Sequence, residues 1–213
     1  MGNFAALIHP FTILLMPFFR NIAVFGTVIF LLLISSCDRS STPLPRGYFR
    51  IALPEKEYTL FDSVFPYTFH YPTYAHITPD SRASAEPYWA DLVFPDFRAS
   101  LHLSYKPVTG EDELFAYIED GRNFLNRHIP KASGFQERIF SNEENDVYGI
   151  LYEIRGREAA SPLQFYLTDS TNHFLRGALY FNVTPNNDSL APVIRFISDD
   201  IRVLMETLQW KNR

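Results

Sequence analysis

The only cysteine of the chain, Cys37, follows the apolar and small run Leu31-Leu32-Leu33-Ile34-Ser35-Ser36. One thiol allows no intramolecular disulfide, no CxxC redox pair and no cysteine-based zinc cluster. Whatever folds here must therefore be held by packing and hydrogen bonds. An apolar run closed by two small residues and a cysteine also has the form of a bacterial lipobox. There the sulfur receives a diacylglyceryl group, acyl chains such as palmitate are attached, and the preceding peptide is removed. On this reading residues 1–36 are a signal peptide and Cys37 is the lipidation site.

The flanks support that division. Ile22–Ile34 has the length of a signal-peptide apolar core, is preceded by Arg20 and is short for a membrane span. An uncleaved anchor is the competing reading. Met16 stands where an ordinary signal peptide would begin, which makes the first fifteen positions an upstream extension. Residues 37–46, with Asp38–Arg46 polar and interrupted by proline, form an extended tether. Residues 47–213 are long enough for one domain with a substantial core.

Charge and composition exclude some roles. With 24 Asp and Glu against 19 Lys and Arg, the chain is net acidic, which opposes nucleic-acid binding. Twenty Phe, twelve Tyr and two Trp suit an ordered fold.

Hydrophobic periodicity predicts an α+β domain: a twisted antiparallel sheet with a middle helix and a long C-terminal helix. Tyr48–Leu53, Glu57–Phe61 and Tyr67–Tyr71 read as strands cut by Pro54, Pro66 and Pro72, with a short strand at Tyr74–Ile77. Arg98–Tyr105 alternates cleanly and pairs with Tyr88–Phe94 across Pro95-Asp96. Thr109 can cap a helix carrying Leu114, Ile118, Leu125 and Ile129 and ended by Pro130. Strands follow at Phe135–Phe140, Val147–Arg155, Leu163–Thr168 and Phe174–Val183. Ser189 then caps a helix whose stripe is Val193, Ile197, Ile201, Leu204 and Leu208.

Catalytic and metal chemistry is not evident. No phosphate-binding glycine loop, GxSxG elbow or paired-histidine zinc helix is present. The histidines after Cys37 (His70, His76, His102, His128, His173) lack metal-ligand spacing. Asp169, Ser170 and His173 share one tight turn, whereas a triad needs a base reaching a nucleophile with an orienting acid behind it. No catalytic residue, metal or cofactor is therefore expected. The polar side of the sheet is the better candidate: His102, Tyr166, Arg176, Tyr180 and Asn182 share a face, with Phe174 nearby. Tyr and Arg concentrate at interface hot spots, so this is a candidate partner face. A helix lying over that face is the structural alternative.

From Gly47-Tyr48-Phe49-Arg50-Ile51 and Pro54-Glu55-Lys56-Glu57-Tyr58 onward the sequence resembles the gliding-motility lipoprotein family GldD of the Bacteroidota. The resemblance is densest in His102–Pro107, Val147–Tyr152 and Leu167–Val183, and continues through Asn186 and Asp188–Val193. It implies a membrane-attached, non-enzymatic component needed for gliding and linked to type IX secretion. The implied partners are cell-envelope proteins of that machinery. Cys37 corresponds to the family's lipobox cysteine. Asp38-Arg39 is not the acidic cluster of surface-exported lipoproteins in that phylum, so the expected domain faces the periplasm, from either the inner or the outer membrane. The phylum's O-glycosylation pattern is met at Ser63, Ser170 and Ser189, within Asp62-Ser63-Val64, Asp169-Ser170-Thr171 and Asp188-Ser189-Leu190. Element order, with Phe69-His70-Tyr71-Pro72 and the helix ending near Trp210, also resembles Mog1/PsbP-like domains. The function class weighed against the first is a periplasmic small-molecule or peptidoglycan-binding lipoprotein, favoured by a deep pocket at His102, Tyr105 or Arg176. A hydrolase ranks last, for want of a readable activated nucleophile.

Overall fold

The alternation of apolar and polar residues is converted into two antiparallel sheets in a computed structural model, which describes residues 51–126 and 132–211. Strand β1 (Tyr58–Phe61) pairs with β2 (Tyr67–Pro72), then follow β3 (His76–Pro79) and β4 (Ala90–Phe94). A 3₁₀ turn at Pro95–Phe97 leads to β5 (Ala99–Pro107), helix α1 (Glu111–Asn126), and strands β6 (Gly134–Asn142), β7 (Val147–Arg155), β8 (Leu163–Thr168) and β9 (His173–Phe181). Helix α2 (Asn187–Thr207) and the two-residue β10 (Gln209–Trp210) complete the order. The larger sheet runs β3-β4-β5-β9-β8-β7-β6, and the smaller runs β1-β2-β10. The α+β class and both helices expected from periodicity are present. Cys37, the signal peptide and the tether, as well as His128, Ile129 and Pro130, lie outside the described residues. Tyr48–Arg213 is one compact unit.

The core lies between the large sheet and α2. Leu101, Leu103, Phe165, Leu167, Leu175 and Leu179 face it from the sheet. Val193, Ile197, Ile201, Leu204 and Leu208 meet them, each at most 4% exposed. Burying one such side chain contributes roughly 1.5–3 kcal/mol, so this stripe supplies much of the stability of the domain. The small sheet joins the same core through Tyr67 and Phe69, both fully buried.

Several local expectations are corrected. The described part of the first expected strand, Ile51–Leu53, is not a strand. Pro54, which has no N–H to donate, and the charged Glu55 and Lys56 follow directly, and the segment pairs with no described strand. The N-terminal strands form a second sheet rather than extending the first. The short strand near Tyr74 starts at His76 and pairs with β4. Gly110, not Thr109, occupies the start of α1, because its carbonyl accepts the Leu114 N–H at 3.1 Å. Thr109 instead donates its N–H and hydroxyl to Glu113 Oε2, at 2.9 and 2.8 Å. The last strand ends at Phe181 rather than Val183. Asn186 precedes α2, placing Ser189 inside its first turn, where its N–H donates to the Asn186 carbonyl at 3.0 Å.

One charged group sits where apolar packing would be expected. Asp200 of α2 is 1% exposed. Its carboxylate accepts the Tyr58 hydroxyl at 2.8 Å and the Tyr74 hydroxyl, and pairs with Lys56 Nζ at 3.0 Å. Lys56 also lies 4.4 Å from the centre of the Phe196 ring. A buried carboxylate is tolerated only when paired and hydrogen-bonded, and these three groups meet that need.

Candidate functional site

The face of the large sheet opposite α2 carries the polar half of each alternating strand. Register places Ser104 beside Arg176, His102 beside Ala178 and Tyr166 beside Arg176, so side chains from β5, β8 and β9 project from one surface. Helix α1 crosses this surface over β8 and β9. Tyr117 packs on Phe174 at 5.6 Å, and Phe124 lies 4.6 Å from the Arg176 guanidinium carbon. Beside the helix a cleft of about 430 Å³ opens. Its floor is His102, Ser104, Lys106, Arg176, Ala178 and Tyr180, and its walls are Trp89 on one side and Tyr117, Gly121 and Phe124 of α1 on the other.

The six residues of the candidate partner face are only partly brought together. His102, Phe174, Arg176 and Tyr180 line the cleft. Tyr166 lies deeper, half-buried and stacked on Phe174 at 5.7 Å, and borders a smaller void with Gly121. Asn182 stands beyond the end of β9, exposed, its N–H donating to the Arg98 carbonyl at 2.7 Å. The face is thus a partly roofed groove instead of an open surface. Ser63, Ser170 and Ser189 are all exposed. Ser170 has the left-handed backbone of a turn, with φ of 68°.

Charge in the cleft is mostly spent on internal partners. Arg82 chelates Asp80, His102 bonds Asp91, and Lys106 pairs with Glu86 at 3.1 Å. The Asp80 carboxyl is held below its ordinary range, chiefly by the Arg82 hydrogen bonds. Arg176 donates to the neutral Gln164 Oε1 at 2.9 Å and has no carboxylate partner among the described residues. Burial lowers its guanidinium pKa, opposed by its interactions with Tyr180, yet an arginine remains charged in such surroundings. The wall polar groups are also committed. Trp89 Nε1 donates to the Tyr105 carbonyl at 2.9 Å and the Tyr117 hydroxyl to Glu113 at 2.7 Å. That last bond pushes the Tyr117 phenol up to about 12. Gln164, 3% exposed, leaves its Nε2 without an acceptor among the described residues.

Reading the strands alone finds His102, Arg176 and Tyr180 of the floor but misses Ser104, Lys106 and Ala178, and with them Arg82, Trp89, Tyr117 and Phe124. A signal for the wall was available: Tyr117, Gly121 and Phe124 recur at offsets of four and three, a second stripe beside Leu114, Ile118 and Leu125.

Asp169, Ser170 and His173 are arranged as a turn. Asp169 Oδ1 accepts the N–H groups of Thr171, Asn172 and His173 at 3.0, 2.8 and 2.8 Å. His173 Nδ1 is hydrogen-bonded to the Tyr105 hydroxyl at 2.8 Å, and its ring stacks on Trp210 at 4.9 Å with 6° between planes. Burial holds the His173 pKa below 6.5, with the Asp169 charge opposing. A histidine that folds better neutral contributes stability above its unfolded pKa and loses it as pH falls through the lowered folded value. Melting temperature is therefore expected to fall on the acid side of 6.5, and His173→Gln to flatten that dependence. Trp210 fluorescence should titrate with a midpoint below 6.5 in the wild type only. A midpoint above 6.5 would show that burial does not govern the ring.

Among the described residues no group of three His, Cys, Asp or Glu is placed to hold a metal ion. No described helix is long and apolar enough to cross a membrane. A family profile described as gliding motility lipoprotein GldD matches residues 38–210. No curated protein matches the chain. Among solved structures, the solution structure of cyanobacterial PsbP (CyanoP) from Synechocystis sp. PCC 6803 aligns with a TM-score of 0.45 at 10% identity, covering 74% of this chain and 95% of that one.

Proposed function

We propose, from the premise that the chain belongs to the gliding motility lipoprotein GldD family, that it is a lipid-anchored, non-enzymatic component of the gliding apparatus, coupled to type IX secretion. The observation that carries this reading is the family match, which begins at residue 38, directly after Cys37. In this reading Cys37 holds the domain at the periplasmic side of a membrane. Tethering there raises its effective concentration for other envelope proteins. The hydrogen bonds that tie Asp169 and His173 into their turn support reading that trio as a turn.

Affinity capture and cross-linking of the native lipoprotein test the assignment. The expected result is recovery of motility and secretion proteins from wild type, with Cys37→Ser losing both the acyl label and the membrane fraction. Full acylation of Cys37→Ser would refute the anchor, and capture without any motility or secretion protein would refute the role. The cleft beside α1 favours a second reading within the same family, a small-molecule-binding module, because it is concave, largely aromatic and provided with a few fixed polar groups.

A further inference from the structure

We infer that the cleft between α1 and strands β5 and β9 binds a small organic anion with a flat apolar body, its acidic group received by Arg176. The inference rests on the small-molecule reading above and names the ligand class. Three features of the site lead to it. The first is an uncompensated cation. Arg82, His102 and Lys106 each have a carboxylate partner, whereas Arg176 is held only by the neutral Gln164 and Tyr180 and by the Phe124 ring among the described residues. Asp120 also lines the cleft, from the exposed side of α1, and forms no ion pair with Arg176. A guanidinium offers five donors in a planar fork, and the bonds to Gln164 and Tyr180 leave the others for a carboxylate, sulfonate or phosphate.

The second feature is the walls. Trp89 and Tyr117 line the cleft while their polar atoms are spent on Tyr105 and Glu113, and Lys106 Nζ lies 5.0 Å from the centre of the Tyr117 ring. Such walls reward a flat apolar surface. The third is pre-organisation. Arg176 is fixed by Gln164 on one side and covered by the Phe124 ring on the other, so little side-chain freedom is lost on binding. Gln164 does not line the cleft and borders the smaller void with Gly121 and Tyr166, so it positions the guanidinium from behind. At about 430 Å³ the cleft is within the range of small-molecule sites.

The test uses the full-length lipoprotein in nanodiscs and two probes, indole-3-acetate and its neutral isostere indole-3-acetamide, followed by ligand-observed NMR. A charge-assisted bond predicts that the acid binds at least roughly tenfold more tightly than the amide, about 1.4 kcal/mol. Arg176→Gln should remove that difference, and Arg176→Lys should retain part of it, which separates loss of charge from loss of fold. Equal binding of acid and amide, unchanged in Arg176→Gln, would overturn the anion assignment while leaving a small-molecule cleft. Failure of both probes, or equal signal from empty nanodiscs, would overturn both.

Discussion

Alanine in place of Gly149 is expected to destabilise the domain by about 3 kcal/mol or more. Gly149 lies in β7, between β6 and β8, opposite Phe140 and Leu167. A methyl group there would collide with the Tyr166 carbonyl oxygen and come within 2.9 Å of its carbon and 3.1 Å of Leu167 Cδ2. The first two are backbone atoms, so no rotamer change relieves the contact and the β7–β8 ladder must shift. Overpacking costs about 1–3 kcal/mol, occasionally more, and a backbone collision belongs at or above the upper end. At about 2–4 °C per kcal/mol for a domain of this size, the melting temperature should fall by roughly 6–12 °C, with a matching loss of soluble yield. Gly134→Ala is the control, since nothing lies within 4 Å of its added methyl group. Identical melting of the two variants would show that the strands separate freely at Gly149.

Asp200→Ala should come next in severity. Removing the carboxylate strips the Tyr58 and Tyr74 hydroxyls of their acceptor and leaves Lys56 without its buried partner. Breaking a buried ion pair costs about 3–5 kcal/mol, and the partial exposure of Lys56 argues for the lower figure, about 3 kcal/mol. Calorimetry of the variant reads this directly. The pH dependence supplies a second readout. Both phenol pKa values are raised well above 10.0, by burial first and by the Asp200 hydrogen bond second. A raised folded pKa gives stability that is complete below the unfolded value and is lost as pH rises through the folded one. Wild type should therefore lose stability above pH 10, and Asp200→Ala should lose less across the same range. An Asp200→Ala protein with wild-type melting and the wild-type alkaline slope would show that the three groups find other partners.

Legibility from sequence followed local periodicity closely and long-range covering poorly. Val147–Arg155 and Leu163–Thr168 were readable to the residue, because apolar residues at a period of two mark the face turned to the core, although Gln164 and Thr168 on the other side of β8 are buried as well. The α2 stripe was equally plain. Asp200 was not: it falls three residues after Ile197, at the edge of that stripe, and its charge alone makes it read as solvated. Its burial is produced by Lys56, Tyr58 and Tyr74, more than 120 positions away in the chain. The cleft was half legible for the same reason. Alternation identifies His102, Arg176 and Tyr180 as neighbours, but it does not reveal that α1 brings Tyr117 and Phe124 over them. The second sheet also escaped notice, because the pairing of β10 with β2 joins the two ends of the domain and leaves no local pattern.

That pairing of ends has a mechanical consequence. The domain enters its fold at β1 and leaves it at β10, and both strands hang on β2. If Cys37 is fixed in a membrane, tension transmitted along the chain meets Lys56 and Tyr58 before it meets any strand of the large sheet. Those two residues are fastened to α2 through Asp200, so the load passes into the most deeply packed helix rather than prising β1 from its neighbour. Resistance to pulling is set by the barrier to rupture, not by equilibrium stability. With such an anchor, Asp200 would act as a strain relief between the line and the body it holds.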